Sequence, residues 1–302
     1  MTSVRAWTYL ACLACLAAGA LAPVALSSGL RAASVTVQLP RDALTFHASF
    51  DGRIDADVAT GDPRLYWTPS MKQHHQAVPG LPGSGEVTHV ADAGRHGGAL
   101  RFTARKSPVV FFRGARNVAY AASEWAGTVS FWLQTDPVRD LEPGFCDPVQ
   151  ITPRAWNDAA FFVEFEKRAD SIPFRLGTYA DLAVWNPHQR RFADIPQGER
   201  PLITVDNPPF ASGRWTHVLF TFEHFNTGRT DGVVRLYLDG TLGGTLTGRQ
   251  QTFTWDLSDT TIALGLGYIG LIDDLAIFSR ALDQDEIRAL HIAPDGWQLR
   301  RP

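Results

Sequence analysis

Cysteine is scarce. Of three in 302 residues, Cys12 and Cys15 fall in an apolar N-terminal stretch, so Cys146 stands alone in the remainder and an intrachain disulfide there is excluded. Charge is thin as well: 20% of residues are charged, no dense Lys/Arg stripe occurs and the formal net charge is −3. A nucleic-acid partner is therefore excluded, because phosphate recognition needs a concentrated positive surface. Internal repeats and low-complexity linkers are missing too, and 26 glycines with 19 prolines punctuate the chain, which argues against a coiled coil or a helical bundle. What is present is apolar surface. At 45% hydrophobic residues the chain can bury a sizeable core.

The N-terminus carries Arg5, then an apolar run from Tyr9 to Leu26, then small residues up to Ser34. This pattern reads as a signal peptide over residues 1–33, with residues 34–302 forming one domain. An uncleaved anchor is the alternative, since roughly 17–25 apolar residues span a bilayer, but Pro23 and the small residues after it favour removal. The expected location is secreted or in the cell envelope (periplasm or cell surface), with membrane contact only through an uncleaved segment. Losing residues 1–33 removes Arg5 and Arg31 and no acid, which shifts the formal charge to −5.

Short strands with turn residues between them recur along the rest. The candidates are Leu44 to Phe50, Ala99 to Ala104, Val109 to Phe112, Thr128 to Gln134, Phe161 to Glu166, Phe174 to Tyr179, Trp215 to Glu223, Val233 to Leu238, Thr260 to Leu264 and Leu271 to Phe278. Period two places Val129, Phe131 and Leu133 on one face of their strand and Val218, Phe220 and Phe222 on one face of theirs. Leu219 and Thr221 make the opposite face of that strand too apolar for plain solvent surface. Asp239-Gly240 between two such runs predicts a tight hairpin. Asp283 with Glu286 predicts a capped C-terminal helix, its stripe of Ile287 and Leu290 forming a lid on the sandwich. The segments 51–96 and 136–158 read as long loops without regular structure. The fold class is all-β: a two-sheet antiparallel jelly-roll sandwich with a short C-terminal helix.

An ordered set of motifs spans nearly the whole of residues 34–302. It comprises Phe50-Asp51-Gly52, Gly94-Arg95-His96-Gly97-Gly98 leading into Ala99–Phe102, Thr128–Trp132, Trp215-Thr216-His217-Val218, Val234–Gly240, and Gly270–Phe278 followed by Arg280-Ala281-Leu282. Together they resemble the laminin-G-like, concanavalin A-like jelly-roll superfamily of lectins and glucanases. That resemblance implies a structural calcium, with Asp51 and Asp273 at the family's ligand positions and the Gly52 carbonyl as a third ligand. Asp274, next along a regular strand, would point to the opposite face.

The resemblance also implies sugar recognition by aromatic rings beside amides and carboxylates. Trp156, Asn157, Tyr179, Asp181 and Trp185 supply both in mid-chain, and Trp67 stands in a second cluster. Trp132, Trp215 and His217 belong to the framework instead. The pair His74-His75 promises no metal, because neighbours in an extended chain point apart and no further ligand stands at a suitable spacing. Cys146 has no adjoining base and reads as buried and inert. Glu164 and Glu166 share one strand face, as glucanase acids do, but Phe165 stands where that pattern has a further acid.

The resulting expectation is a non-catalytic, lectin-like carbohydrate-binding domain, monomeric, stabilised by calcium and directed at a polysaccharide or envelope glycan. Two alternatives are a structural or adhesion module that binds protein, and a glycoside hydrolase using Glu164 and Glu166.

Overall fold

Alternating side chains set the two faces of each strand, and in this computed structural model, which describes residues 40–293, the alternation becomes two stacked antiparallel sheets. The expected signal segment lies outside the described residues. The first sheet runs Thr241–Arg249, Gly232–Leu238, Trp215–Phe225, Trp125–Gln134, Gly270–Phe278, Leu44–Ala48, Val58–Ala59, with Ala99–Phe102 and Val87–Val90 branching from Gly270–Phe278. The second runs Leu202–Val205, Phe174–Tyr179, Ala160–Lys167, Gly144–Thr152, Thr261–Leu266, Val109–Arg113, Leu65–Thr68, Val78–Pro79. Early and late chain meet where Phe46 pairs with Ile277 and Ala48 with Leu275.

Val129, Phe131, Leu133, Val218 and Phe220 enter the core between the sheets, where they meet Val149, Phe161, Val163 and Ile262 of the second sheet. Each such side chain contributes about 1.5–3 kcal/mol by leaving water. Thr128, Ser130 and Trp132 face the other way and are buried all the same. The cover is the capped helix Gln284–Ile292, whose Ile287 and Leu290 pack with Leu219, Tyr237, Ala276 and Phe278. His217 is sealed beneath it, 2.8 Å from the Ser130 hydroxyl and against the rings of Trp132 and His291. The Asp239-Gly240 hairpin forms as expected, with φ of 50° and 72° and Leu238 paired to Thr241.

Both segments read as structureless contain strands. Gly144–Thr152 is a central strand of the second sheet, and its alternation is hidden because Pro148 sits at a bulge, where the register against Ala160–Lys167 slips between Val163 and Phe165. Within 51–96 lie Val58–Ala59, Leu65–Thr68, Val78–Pro79 and Val87–Val90, all too short to show a period. Between Leu65–Thr68 and Val78–Pro79 the chain makes a 3-10 turn, Met71–Gln76, over the outer face of the second sheet, with Met71 and Ala77 on Tyr66, Phe111 and Ala263.

Candidate functional site

On the three strands Gly144–Thr152, Ala160–Lys167 and Phe174–Tyr179 the residues pointing away from the core are Gln150, Phe162, Glu164, Glu166, Arg175 and Tyr179. Of these, Gln150, Phe162, Glu164 and Arg175 form the floor of an outward-facing cavity of about 330 Å³, with Glu166 and Tyr179 beside it. Phe162 lies over Gly177, its cross-strand partner. A Cβ at Gly177 would come within 2.2 Å of the Phe162 ring, so only glycine lets the ring lie flat on the sheet.

Trp156 stands at the rim, 41% exposed, on the turn between Gly144–Thr152 and Ala160–Lys167. Its indole is held edge-on by Phe192 at 5.1 Å, Tyr179 at 5.6 Å and Phe162 at 6.2 Å between centroids, contacts that favour one ring orientation. Tyr179 is wholly buried below and supports the rim. Trp185 supports it from behind, packing edge-on to Tyr179 at 4.9 Å and donating its Nε1–H to the Asn157 carbonyl at 2.8 Å. Asn157 and Asp181 face a neighbouring open groove of about 690 Å³. There the Asp181 carboxylate accepts from the Thr254 backbone N–H at 3.0 Å and from Arg154 at 3.2 Å. Trp67 is elsewhere: it turns inward from Leu65–Thr68 and packs against the inter-sheet core.

The cavity floor is charged but paired. Arg175 reaches Glu164 at 2.5 Å and Glu166 at 2.6 Å, and its guanidinium also lies 5.3 Å from the exposed ring of Phe145. Burial pushes the Glu164 carboxyl above its ordinary range against the opposing pull of Arg175. Asp147, also lining the cavity, is raised well above the ordinary range, by burial and then by the charge of Glu164. The cavity therefore offers apolar walls with a few fixed polar groups, the usual composition of a small-molecule site. Phe145, Asp147, Gln150, Arg175 and Phe192 carry no sequence motif. Arg175 alone had a signal, because it lies directly opposite Glu164 across the hairpin. Cys146, behind the cavity, is buried with its thiol pushed up to about 12 by burial, as an inert cysteine requires.

A second acidic group lies on the other sheet. Asp273 and Asp274 do not point apart as a regular strand would have them. A bulge falls between Asp273 and Ala276, Asp274 adopts a φ of 49°, and ligand atoms of His96, Asp273 and Asp274 lie within 4.8 Å of one another. Asp274 receives His96 Nδ1 at 2.6 Å and His47 Nε2 at 3.2 Å, and these bonds, against burial, hold its carboxyl below the ordinary range. Asp273 is raised by burial and by Asp274, although the His96 backbone N–H donates to it at 3.1 Å. Asp51 lies at the surface end, accepting from the Gly98 backbone N–H at 2.9 Å, and a Cβ on Gly97 would sit 2.0 Å from its Oδ1. Asp273 Oδ2 and the Gly97 and Gly98 carbonyls crowd the same side of Gly94, and a Cβ added at the exposed Gly52 would meet nothing within 4 Å. Hard oxygen donors closing on one glycine loop fit a divalent cation of the calcium class.

A family model described as the concanavalin A-like lectin/glucanases superfamily matches residues 115–288, more than half of the chain. The chain belongs to that superfamily. No curated protein matches it. Among solved structures, this superfamily member is similar to the receptor-binding domain of botulinum neurotoxin C/D mosaic serotype. That match is 14% identical with a TM-score of 0.54, covering 83% of this chain and 51% of that one. It is also similar to the binding domain of Paraclostridial Mosquitocidal Protein 1, with 16% identity, a TM-score of 0.50 and coverage of 83% and 52%. A third similar structure is domain 4 of an extracellular GH43 arabinanase from Geobacillus stearothermophilus, in complex with arabinotriose, at 18% identity, a TM-score of 0.49 and coverage of 82% and 97%. The chain spans about half the length of the toxin chains, and at these identities the likeness is one of fold. Among the described residues, no helix is long and apolar enough to cross a membrane.

Proposed function

We propose that this is an exported, non-catalytic carbohydrate-binding domain whose site is the cavity on the outer face of the second sheet, and whose partner is a polysaccharide or envelope glycan. The observation that carries the proposal is Trp156, an exposed indole held by three rings above a cavity floored by Phe162, Gln150 and the Glu164–Arg175 pair. Sugars present alternating apolar faces and hydroxyl edges, so a fixed ring beside fixed hydrogen-bonding groups suits them. Asn157 and Asp181 in the adjoining groove extend the surface for a second sugar unit, while Tyr179 and Trp185 act as its supports. Trp67, facing the core, takes no part.

The reading is non-catalytic because both strand carboxylates share one guanidinium. A nucleophile or general acid must be released to reacting atoms, and Glu164 is held at 2.5 Å by Arg175. A calcium ion held by Asp51 and Asp273 with carbonyls of the glycine loop would tie the early chain to the last strand, and it plays no part in sugar contact. An oligosaccharide array followed by affinity measurements tests the proposal. Trp156→Ala should weaken binding of the best ligand by about 1–3 kcal/mol, the range for loss of one aromatic stacking partner. Unchanged affinity in that variant, or turnover of a glycan that Glu164→Gln abolishes, would overturn it.

A further inference from the structure

The pair His74-His75 behaves differently from two neighbours in an extended chain. The 3-10 turn Met71–Gln76 folds both rings to one side, with centroids 3.9 Å apart, and both face Asp259, from the turn before the strand Thr261–Leu266. His75 Nε2 lies 3.3 Å and His74 Nε2 3.9 Å from the same Asp259 Oδ1, and ligand atoms of the three residues fall within 4.8 Å of one another.

The tautomer of His74 is set by its other nitrogen. Nδ1 lies 2.8 Å from the Met71 carbonyl, which can only accept, so in the neutral imidazole Nδ1 carries the hydrogen and Nε2 presents a lone pair. That Nε2 is sealed from solvent and has no hydrogen-bond partner. A histidine–aspartate ion pair accounts for His75 but leaves this lone pair aimed at a carboxylate. A metal ion accounts for both. A carbonyl-held Nδ1–H is the usual second contact of a metal-binding imidazole. Ligands about 2.1 Å from a tetrahedral zinc stand about 3.4 Å apart, close to the two distances seen.

We propose that His74 Nε2, His75 Nε2 and Asp259 Oδ1 form a site for one divalent transition-metal ion of the zinc class, for which imidazole and carboxylate are suited ligands. The His75 and Asp259 side chains are 61% and 37% exposed, so an ion can enter from solvent and keep a coordination position open to water. The ion would bridge two turns distant in sequence over the outer face of the second sheet, apart from the acidic group around Asp273.

The untagged chain, stripped with chelator and returned to calcium-containing buffer, is titrated with Zn²⁺ by calorimetry and with Co²⁺ by visible absorption. One zinc per chain and the ligand-field bands of a four-coordinate cobalt site are expected. His75→Ala and Asp259→Asn, both at exposed positions, should each weaken zinc at least tenfold with an unchanged circular dichroism spectrum. His74→Gln should do the same. Absence of zinc binding by the wild-type chain, or unchanged affinity in either His75→Ala or Asp259→Asn, would overturn the proposal.

Discussion

Arg175→Met tests how the floor of the cavity is held. The Glu164 and Arg175 side chains are 9% and 7% exposed, so removing the guanidinium leaves Glu164 a buried charge without its partner. Breaking a buried pair from one side costs about 3–5 kcal/mol. Glu166 suffers less, because it is more exposed and keeps Arg168 at 2.5 Å. The pH dependence follows from the direction of the shift. Burial already raises the Glu164 carboxyl, Arg175 opposes that rise, and its loss lifts the folded-state pKa further above the unfolded one. A carboxyl raised on folding contributes stability that is fully present below its unfolded pKa and is lost as pH rises through the folded value, at up to about 1.4 kcal/mol per pH unit. Urea denaturation should therefore show a deficit of about 3–5 kcal/mol at pH 8 and a deficit smaller by at least about 1 kcal/mol at pH 5. Adding Glu164→Gln to Arg175→Met should recover most of the loss. A single variant within about 1 kcal/mol of wild type at both pH values would refute the reasoning.

Three further outcomes follow from other parts of the fold. Burial and then His291 pull the His217 pKa down to about 3, so between pH 6.5 and 3 the unfolded chain binds a proton that the folded chain refuses, and stability falls as pH falls. Relative to His217→Gln, the wild type should lose about 2–3 kcal/mol more between pH 6.5 and 4.5; parallel denaturation curves for the two proteins would contradict this. Asp283→Ala removes the side chain that accepts from the Asp285 and Glu286 backbone N–H groups, and thermal unfolding should report a loss of about 1 kcal/mol. In zinc-free protein, removing calcium with chelator should lower the melting temperature of the wild-type chain and leave Asp273→Ala unmoved, whereas an identical wild-type melt with and without calcium would discard the calcium assignment.

The framework was legible because its strands are long, alternate cleanly and are separated by strong turn signals such as Asp239-Gly240. The strand Gly144–Thr152 was not, because Pro148 at a bulge shifts its period, and with that strand went the recognition that Phe145, Asp147 and Gln150 share a surface. Trp156 could be singled out as an aromatic beside amides, but its mates Phe162 and Phe192 come from a neighbouring strand and a distant loop. Trp67 carried the same local appearance and belongs to the core, since nothing in Tyr66-Trp67 tells which ring faces inward. The Asp273-Asp274 bulge and the 3-10 turn under His74 and His75 share one cause of illegibility. In each, a local break in backbone regularity brings together side chains that regular extended geometry would separate.

The most direct measurement is a crystal structure with the oligosaccharide that ranks first on the array. A sugar ring resting on Trp156, with its hydroxyls bonded to Gln150, Asp147 or the Glu164–Arg175 pair, is the predicted result. Density for the sugar on any other face, with the Trp156 cavity empty, would contradict the account.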